Sequence, residues 1–310
     1  MLNVHQLKIF HTVARAGSFS RAAEALGITQ PSVSIQVRDL ERALGVELFE
    51  QIGKRTFLTE AGKVLEEYAS RILSLLEEAE EAVREVRGSS GGTLRVGAES
   101  TAGTYLLPPV LREVRARFPE AVITLEIQGA RQIQERILRN ELDCGIVGPS
   151  LRHEALVYIP YRMDELVPIA APDSPAARRG GLSPAELARE RLILRERGSG
   201  TREATEQAFR NLGLPVNPAM ELPSTEAVIQ AVAANLGVGI VSRIAAEGAI
   251  RAGQVVVLEV PDFRPVRALW AVRHGEKRLT ALLRTFLDLL TSTQVPQTSE
   301  DTSTSEAAVS

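Results

Sequence analysis

Residues 16–49, AGSFSRAAEALGITQPSVSIQVRDLERALGVELF, read as two short helices joined by a tight turn. Ala22 and Ala23 are small enough to let a second helix pack closely, Leu26 ends the first apolar stripe, and Gly27 supplies the turn at low steric cost. Thr29 can cap the next helix, Pro31 suits its first turn, and Val33, Val37 and Leu40 recur at helical spacing. The opposite face carries Gln30, Ser32, Ser34, Gln36 and Arg38, with Ser20 and Arg21 on the first helix counted in the same surface. Amides and hydroxyls so placed can meet base edges in a major groove while basic groups hold phosphates, which makes double-stranded DNA the expected partner. Two packed helices also occur in many proteins that never touch DNA.

The run continues as AGSFSRAAEALGITQPSVSIQVRDLERALGVELFE and then LTEAG, and in this form it closely resembles the N-terminal signature of LysR-type transcriptional regulators. The resemblance is dense as far as Gly62 and looser beyond it. Two departures stand out: Ile35 occupies a position where relatives often carry a basic residue, and Gln51 replaces the arginine usual after Leu48 and Phe49. The resemblance implies an α/β protein with an N-terminal winged helix-turn-helix, a long dimerisation helix and a C-terminal two-lobed effector domain like that of periplasmic solute-binding proteins. It implies a homotetramer built from two dimers, with RNA polymerase as a further candidate partner.

Residues 1–58 carry seven Lys or Arg against five acids, a small local positive excess in a chain of net charge −3. Lys54 and Arg55 lie in a short turn between Phe49 and the pair Phe57 and Leu58, as a wing tip against phosphates would. From Thr59 a single helix is expected to about Arg87, before GSSGG at residues 88–92. Its apolar positions Ala61, Leu65, Tyr68, Ile72, Leu75, Ala79, Ala82 and Val86 alternate steps of four and three, a coiled-coil seam that needs a partner helix or the domain's own core. Two-fold pairing along it would set two recognition helices on one face of DNA, so an inverted-repeat operator is expected.

The remainder alternates strand and helix as an open α/β sheet does. The expected domains are 1–58, 59–88 and 89–291, the last split into lobe I (93–161 and 268–291) and lobe II (162–267), with a disordered polar tail at 292–310. Ligands of open sheets bind beyond the carboxyl ends of strands. Such ends carry Ser100 and Thr101, Gln128 and Gly129, and the segment Arg195–Arg202, where Gly198, Ser199, Gly200, Thr201 and Arg202 offer amides, hydroxyls and a guanidinium, while Thr225 opens a nearby helix. This set suits a small anionic metabolite. The alternative for Ser100, Thr201 and Thr225 is helix capping, and for Arg202 a pair with Glu206 four residues on. Within the family, GSGTR is most similar to regulators of sulfur assimilation and carbon fixation, a hint about ligand charge.

The 310 residues are 44% hydrophobic and 24% charged, enough for a substantial core in two or three domains. No apolar run suits a membrane helix and the N-terminus lacks a signal-peptide layout, so a cytoplasmic protein without membrane contact is expected. The single cysteine, Cys144, reads as a buried core residue, and His5, His11, His153 and His274 lack ligand spacing. No cofactor, metal site or catalytic constellation is expected, which sets an enzyme well below a regulator, and a solute-binding module with a DNA tether between the two.

Overall fold

A computed structural model describes residues 2–52, 55–86, 91–148 and 152–292. Its residues fall into two compact units, one drawn from Met1–Ser90 with Glu135–Asp143 and the other from Gly91–Gln134 with Cys144–Ser310. In the first unit, α1 (Val4–Ala16), α2 (Phe19–Leu26) and α3 (Gln30–Leu44) precede the hairpin of β1 (Phe49–Ile52) and β2 (Arg55–Leu58), followed by α4 (Glu60–Val86). Ala22, Ala23, Val33 and Val37 pack with Ile9 and Val13 in one small core. Gly27 ends α2 at φ 66°, the left-handed turn read from the sequence. On the other side, Leu7, Phe10, Leu40 and Leu48 meet Ala61, Leu65 and Ala69 of α4.

Two side chains fix the hairpin and α4. Glu41 Oε1 of α3 accepts from the Leu48 N–H at 2.8 Å and from the Phe49 N–H at 3.3 Å. Thr59 Oγ1 accepts from the Gly62 N–H at 3.0 Å and donates to the Glu47 carbonyl at 2.7 Å, capping α4 and tying it to the wing. A Cβ on Gly62 would lie 2.1 Å from the Leu48 carbonyl oxygen, so only glycine lets the helix approach this closely.

The second unit is built on a nine-stranded sheet. Its first half holds β3 (Thr93–Ala98), β4 (Val122–Ile127) and β5 (Cys144–Val147), parallel to one another. Helices α5 (Leu107–Arg117) and α6 (Ala130–Leu138) alternate with these strands, and a π-helical segment, Ala102–Leu106, precedes α5. The long strand β6 (Leu156–Ala170) then runs on into the second half, where α7 (Pro175–Arg178), α8 (Pro184–Leu187), β7 (Leu192–Arg195), α9 (Gly200–Asn211), β8 (Met220–Leu222), α10 (Thr225–Ala233), β9 (Val238–Ser242), α11 (Arg243–Arg251) and β10 (Val256–Val257) follow. Strand β11 (Val266–His274) and α12 (Ala281–Ser292) return to the first half. The strand order is β4-β3-β5-β11-β6-β9-β7-β8, with β10 also on β6.

Strand β6 pairs with β11 from Leu156 to Glu165 and with β9 from Leu166 to Ile169, so one strand serves both halves. The half of β6 before Glu165 is only partly buried, passes through Pro160 and lacks a continuous apolar run, so the sequence does not announce it as a strand. Leu166 and Ala170 face one core with Leu192, Leu194, Phe209 and Ile240, whereas Val167 and Ile169 face the other with Val228, Ile229 and Val241. That period of two explains why the strands read as unbroken apolar runs: both faces are covered. Leu282, Phe286 and Leu290 of α12 pack with Leu94, Val96 and Ile146, in the core that also buries Cys144. Helix α9 begins at Gly200, before the Arg202 guanidinium, and Ala102–Leu106 are π-helical ahead of α5. Ser292 closes α12, and residues 293–310 of the expected tail lie outside the described residues, as does Lys54.

Candidate DNA-reading face and effector cleft

Thr29 caps α3, accepting from the Ser32 N–H at 3.4 Å, and Pro31 sits in the first turn. Val33, Val37 and Leu40 turn inward, which leaves Gln30, Ser32, Ile35 and Arg38 exposed and Ser34 and Gln36 half-buried. Gln30 Nε2 donates to Ser34 Oγ at 2.9 Å, and the Thr29 and Ser32 hydroxyls are 2.8 Å apart, so the polar side chains are already ordered against one another. Ser20 of α2, Gln30, Ser34 and Arg38 of α3, and Gln51 and Thr56 of the wing line one shallow depression. Arg21 and Arg55 are exposed outside it. Gln51 and Thr56 were not among the sequence candidates; the departure at Gln51 was the available signal. The arrangement presents donors and acceptors to a groove, with cations beside it to hold phosphates.

In the second unit, the strand ends bring a different set together. Glu99, just past β3, is 6% exposed. Its carboxylate accepts from the Gly148 N–H in a short hydrogen bond and from the Gly200 N–H at 3.5 Å, the latter at the first turn of α9. Thr101, Thr201 and Arg267 are buried, and among the described residues Thr101 Oγ1, Thr201 Oγ1 and Arg267 Nη2 have no hydrogen-bond partner; neither has Gln128 Oε1. Unsatisfied buried polar atoms cost free energy, and a polar group reaching these strand ends would recover it. The π-helical segment beside Thr101 fits that reading, because such irregular turns concentrate at functional sites. Tyr105 of this segment donates to Glu226 Oε2 of α10 at 2.7 Å, and burial together with this bond pushes its hydroxyl pKa well up. Burial, helped by the nearby Glu99 and Glu206 carboxylates, raises the Glu203 pKa.

Other candidates are committed elsewhere. Arg202 pairs with Glu206, donates to the Arg195 carbonyl at 2.9 Å and reaches Glu221 at 3.4 Å, which is the ion-pair alternative read from the sequence. Arg195 holds Glu196 through two bonds of 2.8 Å and donates to Thr225 Oγ1 at 2.8 Å. Thr225 does not cap α10; Ser224 does, accepting from the Ala227 N–H at 3.1 Å. Ser199 stands at the α9 N-cap without a side-chain cap bond, Gly198 turns at φ 84°, and the Gly129 N–H donates to Gln132 at 3.4 Å. Ser100 is half-buried at the start of the turn after β3. Glu99 and Arg267 were missed: Glu99 directly precedes the candidates Ser100 and Thr101, which was the available signal, whereas only the register of β6 against β11 brings Arg267 opposite Asp164. There the guanidinium Nε donates to Asp164 Oδ2 at 2.9 Å, and Ser242 donates to Asp164 Oδ1 at 2.6 Å.

Comparison with known proteins bears on both sites. Residues 4–63 match the family of bacterial regulatory helix-turn-helix proteins of the lysR type, and residues 87–294 match the LysR substrate binding domain. The chain is 38% identical over 290 residues to the HTH-type transcriptional activator CmpR of Synechocystis, covering 93% of this chain and 94% of that protein. The crystal structure of full-length CbnR complexed with its target DNA superposes with a TM-score of 0.71 at 25% identity, over 93% of this chain and 99% of that one. The regulatory domain of CcmR from Synechocystis, solved in complex with 2-PG, superposes with a TM-score of 0.59 at 31% identity, over 65% of this chain and 96% of that one. With a lysR-type reading head at one end and the family's substrate-binding domain over most of the remainder, the chain belongs to the LysR family of transcriptional regulators.

Proposed function

We propose that this regulator acts in the cytoplasm on promoter DNA as a dimer, and that a small anionic metabolite in the cleft of its substrate-binding domain changes how it holds that DNA. Gln30, Ser32, Ser34 and Gln36 read bases, while Arg38, Arg55, Lys54, Ser20 and Arg21 position the duplex through phosphates. The exposed residues Tyr68, Ile72 and Leu75 of α4 supply the pairing surface, Ala61 and Leu65 being used by the reading head's own core. No helix among the described residues is long and apolar enough to cross a membrane.

The observation that carries the ligand reading is the set of buried donors without a partner among the described residues: Thr201 Oγ1 in the first turn of α9, Nη2 of Arg267, whose Nη1 would lie 3.2 Å from a Cβ on Gly200 of that turn, and Thr101 Oγ1 past β3. Hydroxyls and a guanidinium beside a helix N-terminus suit an oxyanion, and the 2-PG bound by the similar CcmR domain supports the same charge. Coupling requires that the ligand bind two arrangements of the protein unequally. A thermal-shift panel of phosphorylated, sulfur-containing and carboxylate metabolites tests this: at least one should raise the melting temperature, and Thr201→Val should abolish the rise. A panel without effect, or a shift unchanged by T201V, would contradict the proposal.

A further inference from the structure

The cleft that we read as an anion site contains a carboxylate of its own. Glu99 is nearly as buried as Arg267, at 6% and 3% exposure, and its oxygens take the N–H groups of Gly148 and Gly200. Gly200 lies between opposite charges: a Cβ there would stand 3.2 Å from Arg267 Nη1 and 3.4 Å from Glu99 Oε1. At Gly148 a Cβ would stand 2.9 Å from Glu99 Oε2, so the carboxylate is packed against both backbones. The positive end of α9 is therefore partly answered from within the protein, while Arg267 Nη2 and the Thr101 and Thr201 hydroxyls are left for a ligand.

We propose that Glu99 sets the chemical class of the ligand: the cleft disfavours bare oxyanions and takes an acid that carries its own donor, a hydroxyl or an ammonium, directed at the Glu99 carboxylate. The acid group meets Arg267, Thr101 and Thr201, and the donor answers the Glu99 carboxylate. A bare dianion in the same place would face Glu99 across a few ångströms in a poorly screened site, and like charges so placed repel strongly. This inference rests on the anion reading above and adds a rule for which anions are admitted.

Calorimetry on the full chain with two probes tests it: 2-phosphoglycolate, which has no donor when ionised, and O-phosphoserine, which adds an ammonium. Wild type should bind O-phosphoserine about tenfold more tightly than 2-phosphoglycolate. In Glu99→Gln, of matching shape but no charge, 2-phosphoglycolate should gain about tenfold and the preference should disappear. Glu99→Ser, which also empties the space, should behave in the same way, and melting transitions show whether each variant is folded. The same ratio of affinities in wild type and E99Q, or weaker 2-phosphoglycolate binding in both variants, would overturn the role of Glu99. If neither probe bound wild type or the folded variants, the anion reading would fall, and this inference with it.

Discussion

At the scale of single residues, the two sites differ in how their side chains are held. On α3 the proposed reading residues are exposed or half-buried and hold one another, as in the Gln30 to Ser34 bond of 2.9 Å. Gln30→Ala should cost about 1–3 kcal/mol at its preferred bases and little on random DNA, whereas Arg55→Ala should weaken both alike and lower the salt slope by about one. Equal losses from both variants on both DNAs, measured over a range of salt, would refute this division. The Asp164 and Arg267 pair is the opposite case, with both side chains at most 2% exposed. Asp164→Ala leaves a buried guanidinium uncompensated and should cost about 3–5 kcal/mol in denaturant unfolding of the second unit; a loss below 1 kcal/mol would show the pair to be dispensable. The sequence made the α3 face legible because apolar spacing and a proline fix which side turns inward. It could not reveal Asp164, Arg267 or Glu99, whose partners lie 103, 103 and 49 residues away and depend on strand register. Ser224 in place of Thr225 as the cap is a one-residue ambiguity that adjacent hydroxyls always leave.

At the scale of elements, α4 and the π-helical turn carry the account. The seam read on α4 divides in the structure: Ala61 and Leu65 join the reading head's core, while Tyr68, Ile72 and Leu75 are exposed, Leu75 by 62%. Spacing alone could not make that division, because a helix of 27 residues has room for two apolar faces. If the exposed stripe pairs two chains, Leu75→Glu should weaken the dimer by about 3 kcal/mol, roughly a hundredfold in sedimentation equilibrium, with the monomer still folded. An unchanged dimer would place the pairing surface elsewhere. The Tyr105 to Glu226 bond joins the turn after β3 to the first turn of α10, across the strand ends that hold the unpartnered donors. Tyr105→Phe should loosen this closure by about 1 kcal/mol, seen as several-fold faster amide exchange at both turns. Exchange identical to wild type would remove Tyr105 from any role in closing the cleft. Most strands in the second unit were legible because their buried runs are short and bounded by turns; the very short β8 and β10 were not, nor was α11, since Arg243–Arg251 follows β9 without a breaker and shows only Ala245 and Ala246 buried.

At the scale of the whole molecule, the two units divide the work between reading and sensing. In the N-terminal unit the two helices of the turn motif and α4 were legible, because such a motif is specified by residues near one another in the chain, whereas α1 and the inclusion of Glu135–Asp143 were not. The sensing unit was legible as a class, an α/β sheet with polar strand ends, but its half-sheets share one strand, and only long-range pairing reveals which side chains meet at the hinge. The central claim is that paired α4 helices hold two α3 helices on one face of a duplex. Footprinting on the gene's own promoter region tests it most directly, with wild type and Leu75→Glu compared over a wide range of protein concentration. Two protected half-sites of inverted sequence are expected, about one helical turn or a small multiple apart, with L75E needing far more protein and losing joint occupancy of the pair. A single protected site without two-fold symmetry, bound equally well by a monomeric variant, would contradict it.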